Sequence, residues 1–248
     1  MNKLYEKIKS KKLFIFDLDG TIVDSIEIWD DIDKALIKFC GDTPRTTFSK
    51  EREMFFHEYK GINISHDYEN YIFSTYHLNL PINDIRVLRK NLTHYYLKEH
   101  VKLIENVDKI LKLLKQKGYM LALATTSSRY SYDIYIKENK NILKYINLNN
   151  YFKQNVLTAE DVNQKKPFPE AYLKLKNMFN IKSEQIVIIE DSLTGITAAN
   201  RANIDCISIY EKNSSHNLDT IKQNSILFIN SYNELIKILN DWTIHSRC

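Results

Sequence analysis

Residues 14–25 read FIFDLDGTIVDS, an apolar run that stops at two carboxylates, Asp17 and Asp19, followed at once by Gly20 and Thr21. An apolar run without alternation predicts a strand covered on both faces. Such a strand delivers Asp17 and Asp19 where the chain leaves the sheet, the edge at which parallel sheets bind ligands. If the next residues curl into a loop leading to a helix, their backbone N–H groups can cradle an anion, and Gly20 permits the close approach. A phosphate is the natural guest. Carboxylates repel phosphate, so the arrangement calls for a cation, and hard oxygen ligands favour Mg²⁺. Asp17 then serves as metal ligand and as nucleophile. Asp19 can protonate the departing oxygen and later deprotonate the attacking water. The same residue types also suit a turn and a helix N-cap, so this stretch alone leaves both readings open.

Working outward, short apolar runs recur at 120–125, 155–158, 186–190, 206–210 and 225–229, with helical patterns between them. The helix expected over 107–117 carries one apolar stripe, Val107, Ile110, Leu111 and Leu114. This alternation is the rhythm of an α/β fold with a parallel sheet. The stretch between the first two strands is too long for one crossover and is helical in pattern, at 26–39, 50–59, 68–77 and 82–99, with Gly41, Pro44, Gly61 and Pro81 as breakers. An inserted helical domain is therefore expected over 24–102, with 1–23 and 103–248 forming the core and the joints near Asp24 and Lys102. Asp24 is a candidate cap for the first inserted helix.

Three further segments supply companions to Asp17. The strand ending LALATTSS places the Thr125 hydroxyl at the same sheet edge, where it can hold a phosphate oxygen without adding charge or can cap the next helix. In KKPFPE, Pro167 and Pro169 stiffen the chain around Lys166, whose ammonium would offset charge on a transferring phosphoryl group. IVIIEDSLTG ends a strand in Glu190 and Asp191, two adjacent acids suited to direct or water-mediated Mg²⁺ contacts, with helix capping by Asp191 or Ser192 as the plainer alternative.

Composition narrows the class. The chain has 248 residues, 44% hydrophobic and 27% charged, which allows a full core and argues against disorder. The net charge of +4 is spread along the chain, so no nucleic-acid surface is expected. No run approaches the roughly 18 apolar residues of a membrane span. The lysine-rich residues 1–12 lack an apolar segment and read as a solvated lead-in. Cys40, Cys206 and Cys248 offer no CxxC pair, which fits a reducing, cytoplasmic setting. His57, His66 and His77 have no HxxxH spacing and read as structural or surface residues, and the aromatics Trp29, Phe55, Phe56, Tyr59, Tyr68, Tyr71 and Tyr76 as the helical segment's own core.

Together FDLDGT, LALATTSS, KKPFP and IVIIEDSLTGITAANRA resemble the four motifs of the haloacid-dehalogenase-like hydrolase superfamily, a match spanning essentially the whole α/β core. The resemblance implies a Rossmann-like parallel sheet with a small inserted helical cap, as in the β-phosphoglucomutase and phosphoglycolate-phosphatase branch. It makes Asp17 the nucleophile, Asp19 the acid/base and a Mg²⁺ ligand through its backbone carbonyl, Thr125 and Lys166 the phosphate holders, and Asp191 with Glu190 the rest of the metal site. True dehalogenases lack the second aspartate of the first motif, so Asp19 points to phosphate. Asn106 and Asn203 stand where relatives usually carry Gly, and Asn is the residue that best tolerates positive φ.

The expected function is a Mg²⁺-dependent phosphatase of a small phosphorylated metabolite, acting as a monomer or small homo-oligomer through an aspartyl-phosphate. The alternative is a sugar phosphomutase, for which Arg45, Lys60 and Arg86 are the nominal cap contacts. A phospho-accepting signalling module or a binding-only scaffold ranks below both. A receiver-type module carries its aspartate after the third strand and has no helical insertion.

Overall fold

The computed structural model describes residues 2–58 and 64–245. Among them eight strands form in chain order: β1 Leu13–Phe16, β2 Val23–Asp24, β3 Lys102–Leu103, β4 Met120–Ala124, β5 Val156–Leu157, β6 Ile186–Glu190, β7 Asp205–Ile209 and β8 Leu227–Ile229. Six of them make one parallel sheet in the order β5-β4-β1-β6-β7-β8, and helices flank it. The chain runs from β1 outward through β4 to β5, then returns to β6 on the other side of β1. That reversal places the carboxyl end of β1 beside the switch point where open α/β sheets bind ligands.

β1 and β4 are apolar throughout, and β6 is apolar up to its terminal Glu190, because both faces are covered. Leu13 and Ile15 share one buried cluster with Ala122, Ala124, Ile186, Ile188, Tyr172 and Ile196. The buried stripe of helix Val107–Gln116, Val107, Ile110, Leu111 and Leu114, is the one the spacing predicts. The two asparagines in glycine positions adopt left-handed backbone, Asn106 at φ 64 and Asn203 at φ 53, so the substitutions keep the turns that glycine would make.

The chain divides into two compact units, residues 1–24 with 101–248, and residues 25–100. In the first unit both connections to the second run side by side, as an antiparallel pair with Val23 opposite Leu103 and Asp24 opposite Lys102. The residue that precedes the first helix of the second unit is Ser25, and Asp24 belongs to the strand pair, which corrects its expected role as the cap.

The second unit comprises helices Ile26–Phe39, Phe48–Glu58, Ile64–Thr75 and Ile82–Glu99. Its core is largely aromatic: Phe48, Tyr68 and Tyr76 are buried with Ile37 and Ile72, and Phe55 and Tyr71 pack against them. Trp29 is only half-buried. The side chains of Phe56 and His57, and all of Tyr59 and Lys60, lie outside the described residues. Inside this unit sits a fully buried acid, Asp33, held by Arg89 at 2.9 Å, Arg52 at 3.2 Å and the Tyr68 hydroxyl at 3.0 Å. Two guanidinium partners offset the penalty of burying that charge. Among the described residues no helix is long and apolar enough to cross a membrane.

Candidate active site

The register of the sheet brings the predicted residues together. Phe16 lies opposite Leu123 on one side and Ile189 on the other, so Asp17, Ala124 and Glu190 follow at the same level. The Asp17 amide continues the ladder by donating to the Ile189 carbonyl at 3.0 Å. From the Pro-stiffened segment, the Lys166 side chain enters this edge and is buried there. Its Nζ donates to Asp17 Oδ1 at 2.5 Å, to Glu190 Oε1 at 2.6 Å and to the Ala124 carbonyl at 2.9 Å. Its three hydrogens are all used at the ends of three strands, β1, β4 and β6.

Asp19 turns the other way. Its Oδ2 accepts from Ser127 Oγ at 2.6 Å, and Thr125 Oγ1 stands 3.5 Å from the same oxygen. Thr125 Oγ1 in turn accepts from the Ser127 amide at 3.0 Å. The cap of the following helix is Ser128, whose side chain accepts from the Ser131 amide, so the Thr125 hydroxyl is left at the sheet edge with Asp19.

Glu190 and Asp191 separate into two environments. Both oxygens of Glu190 are engaged: Oε1 by Lys166 and by the Tyr172 hydroxyl at 2.9 Å, Oε2 by Ser192 Oγ at 3.0 Å and by the amides of Asp191 and Ser192. Ser192 is the helix cap, accepting from the Gly195 amide, which frees Asp191 from that duty. Asp191 Oδ1 accepts instead from the buried Thr21 hydroxyl at 2.8 Å. Two glycines make room for these acids. A Cβ at Gly20, where φ is +79°, would overlap the Asp191 carboxylate, and a Cβ at Gly195 would overlap that of Glu190.

Oxygens of Asp17, Glu190 and Asp191 lie within 4.8 Å of one another, all three residues buried. The electrostatics follow from that crowding. Burial pushes the Asp17 carboxyl up to about 8; Lys166 pulls against the rise, and Glu190 and Asp19 add to it. Asp191 is also raised, by burial first and then by Glu190 and Asp17. Burial works against the charge on Lys166, but Asp17 and Glu190 outweigh it and hold the ammonium well above its usual range. One ammonium thus faces three carboxylates in a dry place. An all-oxygen donor set with excess negative charge fits a hard divalent cation such as Mg²⁺, which would return Asp17 to its carboxylate form. Because Glu190 is saturated, Asp17 and Asp191 are the side chains with an oxygen to offer directly.

Several residues of the site escaped the sequence reading. Tyr172 supports both Lys166 and Glu190, with Nζ 5.2 Å from its ring centre. Ser127 holds Asp19, and Tyr232 donates to the Thr21 carbonyl at 2.9 Å. A glycine inside a helical pattern was the one available signal, at Gly195, of a close approach. His66 and His77 are exposed and lie in the other unit. Arg45 and Arg86 there pair with Glu51 and Glu69.

Comparison with known proteins agrees with this arrangement. The chain is 26% identical over 210 residues to a phosphoglycolate phosphatase of Colwellia psychrerythraea, covering 82% of this chain and 86% of that protein. It is 28% identical over 193 residues to a phosphorylated carbohydrates phosphatase of Thermotoga maritima, covering 78% and 82%. Its fold is similar to that of CbbY from Rhodobacter sphaeroides, solved in complex with phosphate, with a TM-score of 0.69, 20% identity and coverage of 91% and 96%. The model of the haloacid dehalogenase-like hydrolases matches residues 14–209, from the first strand to the end of β7 and through every residue of the carboxylate cluster. The chain belongs to the haloacid dehalogenase-like hydrolase family.

Proposed function

We propose that the protein is a Mg²⁺-dependent phosphatase of a small phosphorylated metabolite, with Asp17 as nucleophile. The observation that supports this most is the convergence of Asp17, Glu190 and Asp191 on one buried point beside Lys166. The phosphatases to which the chain is similar in sequence point to the same reaction class.

In this reading Asp17 attacks phosphorus as the ester P–O bond breaks, and Asp19 gives its proton to the leaving oxygen. Water then attacks the phosphorus of the aspartyl-phosphate, Asp19 takes up its proton, and inorganic phosphate leaves with Asp17 restored. Asp17, Asp191 and the Asp19 carbonyl would hold the metal, with Glu190 bracing the cluster. When bound, Mg²⁺ neutralises the phosphate and lets the anionic nucleophile approach it. Lys166 steadies Asp17 and charge on the transferring group. Thr125 and Ser127 supply neutral hydroxyls, and their contact with Asp19 orients the acid/base before substrate arrives. The helical unit, entered and left through β2 and β3, is the part to which substrate selection is assigned.

The test is phosphate release from sugar phosphates, phosphoglycolate, nucleotides and p-nitrophenyl phosphate, with and without Mg²⁺, by wild type and Asp17→Asn. Mg²⁺-dependent release that the substitution abolishes is the expected result. Interconversion of sugar phosphates without release would replace the reading by a mutase.

A further inference from the structure

Tyr232 opens the last helix, Tyr232–His245, far along the chain from the first motif. It is fully buried, and its hydroxyl donates to the carbonyl of Thr21 at 2.9 Å. Thr21 is fully buried as well, and its own hydroxyl donates to Asp191 Oδ1 at 2.8 Å. The preceding residue, Gly20, lies so close to Asp191 that a Cβ there would overlap its carboxylate. The loop at residues 20–21 therefore holds Asp191 at Oδ1 through Thr21 and leaves room for its carboxylate at Gly20, and the hydroxyl of Tyr232 ties that loop to the last helix.

We infer that Tyr232 is a positioning residue for the carboxylate cluster: acting through Thr21, it sets the orientation of Asp191 and hence the affinity of the site for a divalent cation. This rests on the metal-dependent reading of the site. Three features support it over a merely structural tie. Both hydrogen bonds are buried, where competition from water is absent and geometry is held tightly. The relay ends on a carboxylate that has an oxygen to offer a metal, unlike the saturated Glu190. And Tyr232 reaches a backbone carbonyl in the very turn that carries Gly20 and Thr21, so loss of its hydroxyl frees the turn rather than a distant surface. Groups behind metal ligands tune affinity by holding those ligands in one pose.

The experiment is isothermal titration of the full chain with MgCl₂, alongside urea unfolding in EDTA, for wild type, Tyr232→Phe, Thr21→Val, Thr21→Ser and the double variant Tyr232→Phe/Thr21→Val. Tyr132→Phe is the control, because Tyr132 is also buried and its hydroxyl has no hydrogen-bond partner among the described residues. Tyr232→Phe is expected to weaken Mg²⁺ binding by roughly fivefold, and Thr21→Val by roughly tenfold. Thr21→Ser and Tyr132→Phe should bind as wild type. The double variant should be no weaker than Thr21→Val alone, since both substitutions break one relay.

Unchanged Mg²⁺ affinity in Tyr232→Phe, with only a lower urea midpoint, would overturn the inference and leave the metal site intact. Additive losses in the double variant would also overturn it. Absence of Mg²⁺ binding by wild type would overturn the metal-dependent reading itself, and the inference with it. If Tyr232→Phe does not fold, Thr21→Val against Thr21→Ser decides: equal affinities there sink the relay at its second link.

Discussion

The Glu190 carboxylate occupies the space that a side chain on Gly195 would need. Ala is the better helix former by about 1 kcal/mol, so helix propensity alone favours Gly195→Ala. Overpacking costs about 1–3 kcal/mol, and pushing Glu190 off its donors adds a further ~1–3 kcal/mol. The expected outcome is a lower urea midpoint together with loss of phosphate release. A variant that gained stability would show that Glu190 has room to move.

Among the described residues Lys166 is the single ammonium at the three buried carboxylates, bonded to Asp17 and Glu190. Lys166→Met leaves those charges uncompensated, a loss of about 3–5 kcal/mol for a broken buried pair, and should also abolish turnover. Lys166→Arg should not restore it, because a planar fork cannot direct three donors to Asp17, Glu190 and the Ala124 carbonyl at once. Chemical denaturation and an end-point phosphate assay on both variants check this.

Metal should stabilise the fold as well as the reaction. Asp17 and Asp191 are both driven toward the neutral form by burial and by neighbouring carboxylates. A divalent cation relieves that repulsion, so Mg²⁺ at a hundred times its dissociation constant should add about 2.7 kcal/mol to unfolding. A melting temperature that rises with MgCl₂, falls back with EDTA, and responds less in Asp191→Asn is the expected pattern.

The loop that carries Lys166 is pinned by Glu170, whose carboxylate accepts from the Asn163 and Gln164 amides and from Lys174. The Lys174 contact and those two amides pull the Glu170 carboxyl down to about 2. A group depressed in the folded state contributes stability above its ordinary value, and that contribution is lost as pH falls toward the folded value. Wild type should therefore be more stable than Glu170→Gln at neutral pH, and the difference should shrink as pH falls from about 4 to about 2. Urea midpoints of the two proteins across that range measure it.

The sheet was legible because each of its core strands is an uninterrupted apolar run between polar residues, and a strand covered on both faces leaves that mark. Asp17, Lys166 and Asp191 stood out by contrast, as charged side chains at strand ends or just before a proline, although a turn or a cap suits the two aspartates as well; the structure gathers all three at one sheet edge. The helices at 26–39 and 82–99 appear where the periodicity puts them, whereas Phe48–Glu58 and Ile64–Thr75 begin earlier than their apolar spacing indicates.

What stayed hidden were supporting roles created by partners distant in sequence. Tyr232 reads as one more apolar position, and its bond to Thr21 joins residues 211 apart. Tyr172 looks like the buried stripe of an ordinary helix. Asp33 reads as a solvated residue on an amphipathic helix, and only the fold supplies the arginines that let it sit at zero exposure. Local pattern reports what a residue is suited to, and such cases depend on which others arrive beside it.

The short ladder of Val23 with Leu103 and Asp24 with Lys102 closes the first unit before the chain departs and as soon as it returns. Chain exit and re-entry are thus neighbours, and none of the sheet's six strands is threaded through the excursion. Residues 25–100 are in this sense a cassette: they can be lengthened, shortened or exchanged between relatives with the scaffold's connectivity untouched. On the proposed reading, in which this segment selects the substrate, a fold wired this way gains a new substrate by swapping one segment while its chemistry stays where it is.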